Sequence, residues 1–279
     1  MKLDYVTARG LRFAYLAAGT GPLVLLVHGF PDTAYTWDAT LPAVAAAGYR
    51  AVAPFTRGYH PTAIPADGAY DVATLGGDLL ALIEALGADR AIVVGHDWGA
   101  SAAYSAAAIA PERVRLLVPV AIPHPGGITP TPRLVWLLRH LIAFKRASGP
   151  ARLRANDFAL VDELYARWSP AWKDIPRSET ARVKAAFAEP GVVEAALGYY
   201  RAQPFRPPPS HRTRIEVPTV AFAGEDDAIS PRLYEKARHM FGKSYEVVQV
   251  PGGHFMHREH PEAFIPELVS VLRDNAPPA

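Results

Sequence analysis

The chain contains no cysteine among its 279 residues, so neither a disulfide scaffold nor a cysteine metal site is available to it. Its apolar runs stop at strand length, as in Leu23 to Val27, well short of a membrane span. Neither sign of charge prevails: 29 Lys and Arg stand against 27 Asp and Glu, which gives no field of the kind that marks nucleic-acid or anionic-membrane partners. No internal period is visible, and no serine lies in a Gly-x-Ser-x-Gly frame. The N-terminal stretch alternates Leu11, Phe13 and Tyr15 with polar or small residues, a strand pattern rather than a signal peptide's apolar block. The expectation is a cytoplasmic protein without nucleic-acid or membrane partners, acting on small molecules; a homo-oligomer is left open.

Half of the residues are apolar, enough for a large core. Strand-like runs at Leu11 to Ala17, Leu23 to His28, Ala51 to Pro54, Ala91 to Gly95 and Leu116 to Ile122 alternate with helical stretches. That alternation predicts an α/β fold with a mostly parallel, doubly wound sheet. From Pro123 to about Arg214 the pattern is helical, including Pro132 to Lys145, Asp157 to Arg167, Glu179 to Ala188 and Val192 to Arg201. Strands resume at Val217 and again at Tyr245 to Val250. The expected organisation is a core of residues 1–122 and 215–279 with a helical cap, 123–214, over the strand ends where α/β sheets bind ligands.

Gly95-His96-Asp97-Trp98-Gly99 follows a strand and precedes a small-residue helix, the setting of a nucleophile elbow. Aspartate holds the central place. A carboxylate at a helix N-terminus is kept ionised and can attack carbon, although the same residue could simply cap the helix. Downstream, in the order nucleophile, acid, histidine, come Gly224-Glu225-Asp226-Asp227 and Gly252-Gly253-His254. Adjacent acids leave Asp226 and Asp227 both open on spacing alone. The series His254-x-x-His257-x-x-His260 also invites a zinc reading, which the lack of a suitably placed carboxylate argues against.

These motifs, with His28-Gly29-Phe30-Pro31, resemble the α/β-hydrolases of the epoxide hydrolase and haloalkane dehalogenase branch, most closely the epoxide hydrolases, over nearly the whole chain. The resemblance implies a cofactor-independent enzyme with no metal, converting an apolar epoxide and water to a vicinal diol through an aspartyl ester. It implies Asp97 as nucleophile, a neutral His254 as base, Asp227 rather than Asp226 as orienting acid, and backbone N–H groups of Phe30 and Trp98 as the oxyanion hole. His28 and Gly29 shape their loop, and the Phe30-Pro31 peptide is often cis in relatives. A cap tyrosine that protonates the leaving oxygen matches Tyr200 in Tyr199-Tyr200-Arg201. A second cap tyrosine is missing near Arg139-His140-Leu141-Ile142, which leaves His140 or Tyr165 to assist, or Tyr200 alone. Trp136, His140, Leu141 and Phe255 are expected to line the pocket. Two rivals share these residues: a haloalkane or haloacid dehalogenase, and a non-catalytic ligand receptor. Against the first, Phe30 stands where haloalkane dehalogenases commonly have Asn, and Trp98 where fluoroacetate dehalogenases usually have Arg.

Overall fold

The computed structural model describes residues 2–128, 131, 136, 139–204 and 206–278. Its frame is one eight-stranded sheet: β1 (Leu3–Ala8), β2 (Leu11–Ala18), β3 (Leu23–Val27), β4 (Arg50–Pro54), β5 (Ala91–His96), β6 (Val114–Val120), β7 (Thr219–Gly224) and β8 (Tyr245–Val250). The spatial order is β1-β2-β4-β3-β5-β6-β7-β8. β2 runs antiparallel to β1 and β4, and the remaining pairs are parallel. The N-terminal strand β1 is an addition to the sequence reading. Its exposed edge position gives it no continuous apolar run to announce it.

The central strands are apolar without interruption because both faces are covered. Leu23, Leu25, Val27 and Val93 enter one buried cluster, while Val24, Leu26, Ile92 and Val94 enter the other. A period of two, buried on both sides, reads in sequence as a solid block. The flanking helices are α1 (Thr40–Ala46), α2 (Val72–Ala85), α3 (Trp98–Ile109) and, at the C-terminal end, α8 (Arg232–Lys236), α9 (Met256–Glu259) and α10 (Pro261–Asn275).

Between β6 and β7 the described residues hold helices and no strand: α4 (Arg139–Lys145), α5 (Gly149–Trp168), α6 (Arg177–Ala188) and α7 (Val192–Ala202). The early part of the helix expected from Pro132 lies largely outside the described residues. These helices cover the C-terminal ends of the strands. Phe144, Phe187 and Tyr200 meet the ring of Phe30 at centroid separations of 5.2, 5.8 and 5.1 Å, and the Trp168 carbonyl accepts the His254 N–H at 2.9 Å. The inserted helices thus roof the loops that follow β3, β5 and β8.

Candidate active site

The chain leaves β5 at His96 and enters α3 at Trp98, so Asp97 alone makes the turn. Its backbone sits at φ 52°, ψ −116°, a positive-φ conformation that an L side chain rarely holds and that costs on the order of 1–3 kcal/mol. The turn closes because its neighbours are small. A Cβ on Gly95 would collide with the backbone of Gly99 and Ala100, and one on Gly29 would overlap Cβ and Oδ1 of Asp97.

A capping role for Asp97 is not what the geometry gives, because its side chain makes no cap hydrogen bond to α3. Oδ1 instead accepts the Phe30 N–H at 2.8 Å, and Oδ2 lies 3.4 Å from Nε2 of His254. Burial would raise the Asp97 carboxyl, but His254 and the Phe30 donor outweigh it and hold the group below its ordinary range. The Phe30-Pro31 peptide is cis. His28 fixes this loop: Nδ1 bonds the Gly29 carbonyl at 2.9 Å and Nε2 accepts the Thr56 N–H at 3.0 Å, while burial lowers the ring to about 4. Trp98 is the first residue of α3, where a helix has N–H groups to spare.

On the far side of the ring, Nδ1 of His254 lies 3.3 Å from Oδ2 of Asp227, whose Oδ1 accepts the Ile229 N–H at 2.9 Å. Asp226 is exposed. Burial opposes charge on His254, yet the two flanking carboxylates overcome it and push the ring up to about 10. This favours the protonated ring at rest, so the neutral ring expected of a base requires that one of the two carboxylates lose its charge. Spacing cannot reveal that two carboxylates converge on one imidazole.

Tyr199 and Tyr200, adjacent on α7, part company. The Tyr199 hydroxyl donates to the Arg57 carbonyl at 2.8 Å, and the Arg57 guanidinium is clamped on buried Asp78 at 2.6 and 3.0 Å. Tyr200 faces the site. Its wholly buried ring meets Phe30, Trp98 and Phe144 edge-on at 5.1, 5.2 and 5.0 Å. Burial, then the charge of Asp97, raises its phenol well above the usual value. His140 stands on the same roof, 6.2 Å from the Tyr200 ring and 5.0 Å from Trp168. Tyr165 lies elsewhere, stacked on Phe255 at 3.9 Å and turned toward Asp32.

The other pocket expectations divide. Leu141 is half-buried against the core, and Phe255 is fully buried beside His254, 5.4 Å between rings. Trp136 does not line the site: it is 64% exposed, with the Arg139 guanidinium 3.9 Å from its ring centroid. Its size suggested burial, but cation stacking on an open face accommodates it instead.

Sequence reasoning did not anticipate the layer behind His254. Nε2 of His96 bonds the His254 carbonyl at 2.9 Å, and Nε2 of His257 meets the Thr36 hydroxyl at 2.6 Å. With buried Asp32 these two histidines bring ligand-type atoms within 4.8 Å of one another. His260 is not part of it; it is paired with Glu262 at 3.0 Å. Asp32 is the group's one acid, raised by burial to about 7 despite the nearby Arg258, and His254 lies against His96. Such a setting is poor in negative charge for a dication.

Residues 22–261 match the α/β-hydrolase fold family. Among similar proteins, AB hydrolase superfamily protein YfhM of Bacillus subtilis (strain 168) is 31% identical over 96% of both chains. An epoxide hydrolase of Caballeronia sordidicola is 43% identical over 42% of this chain and 36% of its own. The crystal structure of a putative epoxide hydrolase from Klebsiella pneumoniae subsp. pneumoniae MGH 78578 superposes with a TM-score of 0.83 at 26% identity, over 98% of this chain and 97% of that one. The chain belongs to the α/β-hydrolase family, and its similarity within that family runs to the epoxide hydrolases.

Proposed function

We propose that the protein is an epoxide hydrolase that opens a largely apolar epoxide to a vicinal diol, with Asp97 as nucleophile. In this reading residues 123–214 form the cap on a core of 1–122 and 215–279. The observation that carries it is one carboxylate held between the Phe30 N–H and His254, with the buried ring of Tyr200 edge-on to Phe30. Oδ1 is held in the loop by the Phe30 N–H, and Oδ2, on the His254 side, attacks the less hindered ring carbon. The carbon–oxygen bond of the epoxide breaks and an Asp97 ester forms. The leaving oxygen takes a proton from Tyr200, whose aromatic surroundings keep competing water away. Oδ1 then becomes the ester carbonyl oxygen, with the Phe30 N–H in place and the Trp98 N–H as second donor for the oxyanion that follows.

Once Asp97 is esterified, His254 has lost one of its two carboxylates and gives up its proton to solvent, from which the Tyr200 phenolate recovers the one it delivered. The neutral ring activates water, Asp227 holds its tautomer, and acyl–oxygen cleavage returns Asp97 as a carboxylate and releases the diol. A dehalogenase needs no acid above the carboxylate, whereas a phenol in that position suits an alkoxide leaving group.

The test is turnover of styrene oxide, a long-chain epoxide, a bromoalkane and an activated ester by wild type and Asp97→Ala. Diol formation by wild type alone supports the reading. Bromide release without diol would make the protein a dehalogenase, and no Asp97-dependent turnover of any of them would leave a ligand receptor.

A further inference from the structure

The near-neutral total charge conceals a division. Residues 123–214 carry 15 Lys and Arg against 7 Asp and Glu, while the rest of the chain carries 14 against 20. The inserted region is thus strongly basic and the remainder acidic. The excess is concentrated: Arg139, Lys145, Arg146, Arg152 and Arg154 fall within sixteen residues that include no acid.

The fold gives this stretch two sides. α4 turns His140 and Phe144 in toward Tyr200, the roof of the site. Its other side presents Ile142, 51% exposed, with Trp136 at 64% under the Arg139 guanidinium. Those two are the most exposed large apolar side chains among the described residues. Arg146 and Arg152 follow, both exposed and without a carboxylate partner among the described residues; Arg154 is shared with Glu194 at 2.7 Å. Exposed aliphatic and indole groups bordered by arginines are the combination that seats a protein at a lipid–water boundary, the apolar groups entering the acyl edge and the cations meeting phosphate.

We propose that this corner of the cap docks on anionic phospholipid surfaces. No helix among the described residues is long and apolar enough to cross a membrane, so the contact is peripheral. Docking would set the roof of the site against the phase in which apolar epoxides dissolve. That consequence for substrate class, lipid-dissolved epoxides, rests on the proposed activity; the docking itself does not.

Vesicle sedimentation separates the two. Wild type is expected to pellet with phosphatidylcholine vesicles containing about a third phosphatidylglycerol and not with phosphatidylcholine alone, and raising salt toward about 1 M should release it. Each basic group near such a surface strengthens binding about fivefold, so Arg146→Glu with Arg152→Glu should weaken it by at least about 25-fold. Ile142→Ser should weaken it as well. Both variants should keep the wild-type thermal midpoint and turnover of a water-soluble epoxide. Equal binding to neutral vesicles, no binding to anionic ones, or undiminished binding by the charge-reversed protein would overturn the proposal. Retention on heparin without vesicle binding would also overturn it, in favour of an acidic macromolecule. If vesicles bind but no epoxide is turned over, docking stands and the catalytic reading fails.

Discussion

His254 should become a base only after Asp97 has been alkylated. At rest the ring is held at about 10 by Asp97 at 3.4 Å on Nε2 and Asp227 at 3.3 Å on Nδ1, against the opposing effect of burial. The neighbouring histidines add no charge, because burial lowers His96 to about 3 and His257 well below its ordinary value. Esterification replaces the Asp97 anion with a neutral group. A unit charge at this range contributes about 4 kcal/mol in the effective dielectric of a protein, or about 3 pH units. The ring should therefore drop from about 10 to near neutrality as the ester forms. Asp97 stays ionised throughout, since its carboxyl is held below the ordinary range. Rapid-mixing measurements that resolve ester formation from ester decay provide the assay. Formation should be nearly flat between about pH 6 and 9, while decay should rise with pH through a midpoint near 7, so that steady-state turnover falls on the acid side. A decay rate independent of pH, or one rising only near pH 10, would refute the argument that the Asp97 charge is what holds the proton on His254.

Replacing Tyr200 by Phe keeps the ring and removes the acid; epoxide opening in single turnovers should slow by on the order of 10²-fold or more, with ester decay nearly unchanged. Bromoalkane turnover, if any, should be insensitive to the same change, and unaltered epoxide opening would move the donor to His140 or elsewhere in the roof. Asp227→Asn should depress ester decay far more than Asp226→Asn, because Asp227 meets His254 and Asp226 is exposed; equal losses in stopped-flow decay would contradict the pairing. Gly29→Ala should abolish ester formation, since its Cβ would overlap the Asp97 side chain, whereas Gly68→Ala, with open space around it but a φ of +60° in its own loop, should cost stability rather than chemistry. Intact-protein mass after mixing with epoxide distinguishes these outcomes.

The elbow, the alternating strands and the helical insertion were legible because each is a local pattern: glycines about one residue, solid apolar blocks for strands buried on both faces, and a long strand-free interval. What depended on distant contacts was not. Nothing in Tyr199-Tyr200 tells which ring enters the site; the Arg57 carbonyl, held by the Asp78 ion pair, takes Tyr199 and leaves Tyr200 against Phe30 and Trp98. The upward shift of His254 arises from two carboxylates brought together across the sheet. The Asp32, His96 and His257 layer likewise joins the loop after β3, the end of β5 and α9. Trp136 shows the opposite failure, a large apolar residue read as buried when its stabilising partner is an arginine on the surface. A sum of charge over the chain likewise hides its division between the inserted region and the rest.

The central claim is that carbon is attacked by Asp97 and not by water. One turnover of excess enzyme with epoxide in heavy-oxygen water, followed by mass analysis of the peptide containing Asp97 and of the diol, tests it directly. The heavy oxygen should enter the Asp97 carboxylate while the first diol released carries none, because the oxygen it gains comes from the original side chain. Label in that first diol, with Asp97 unlabelled, would contradict it.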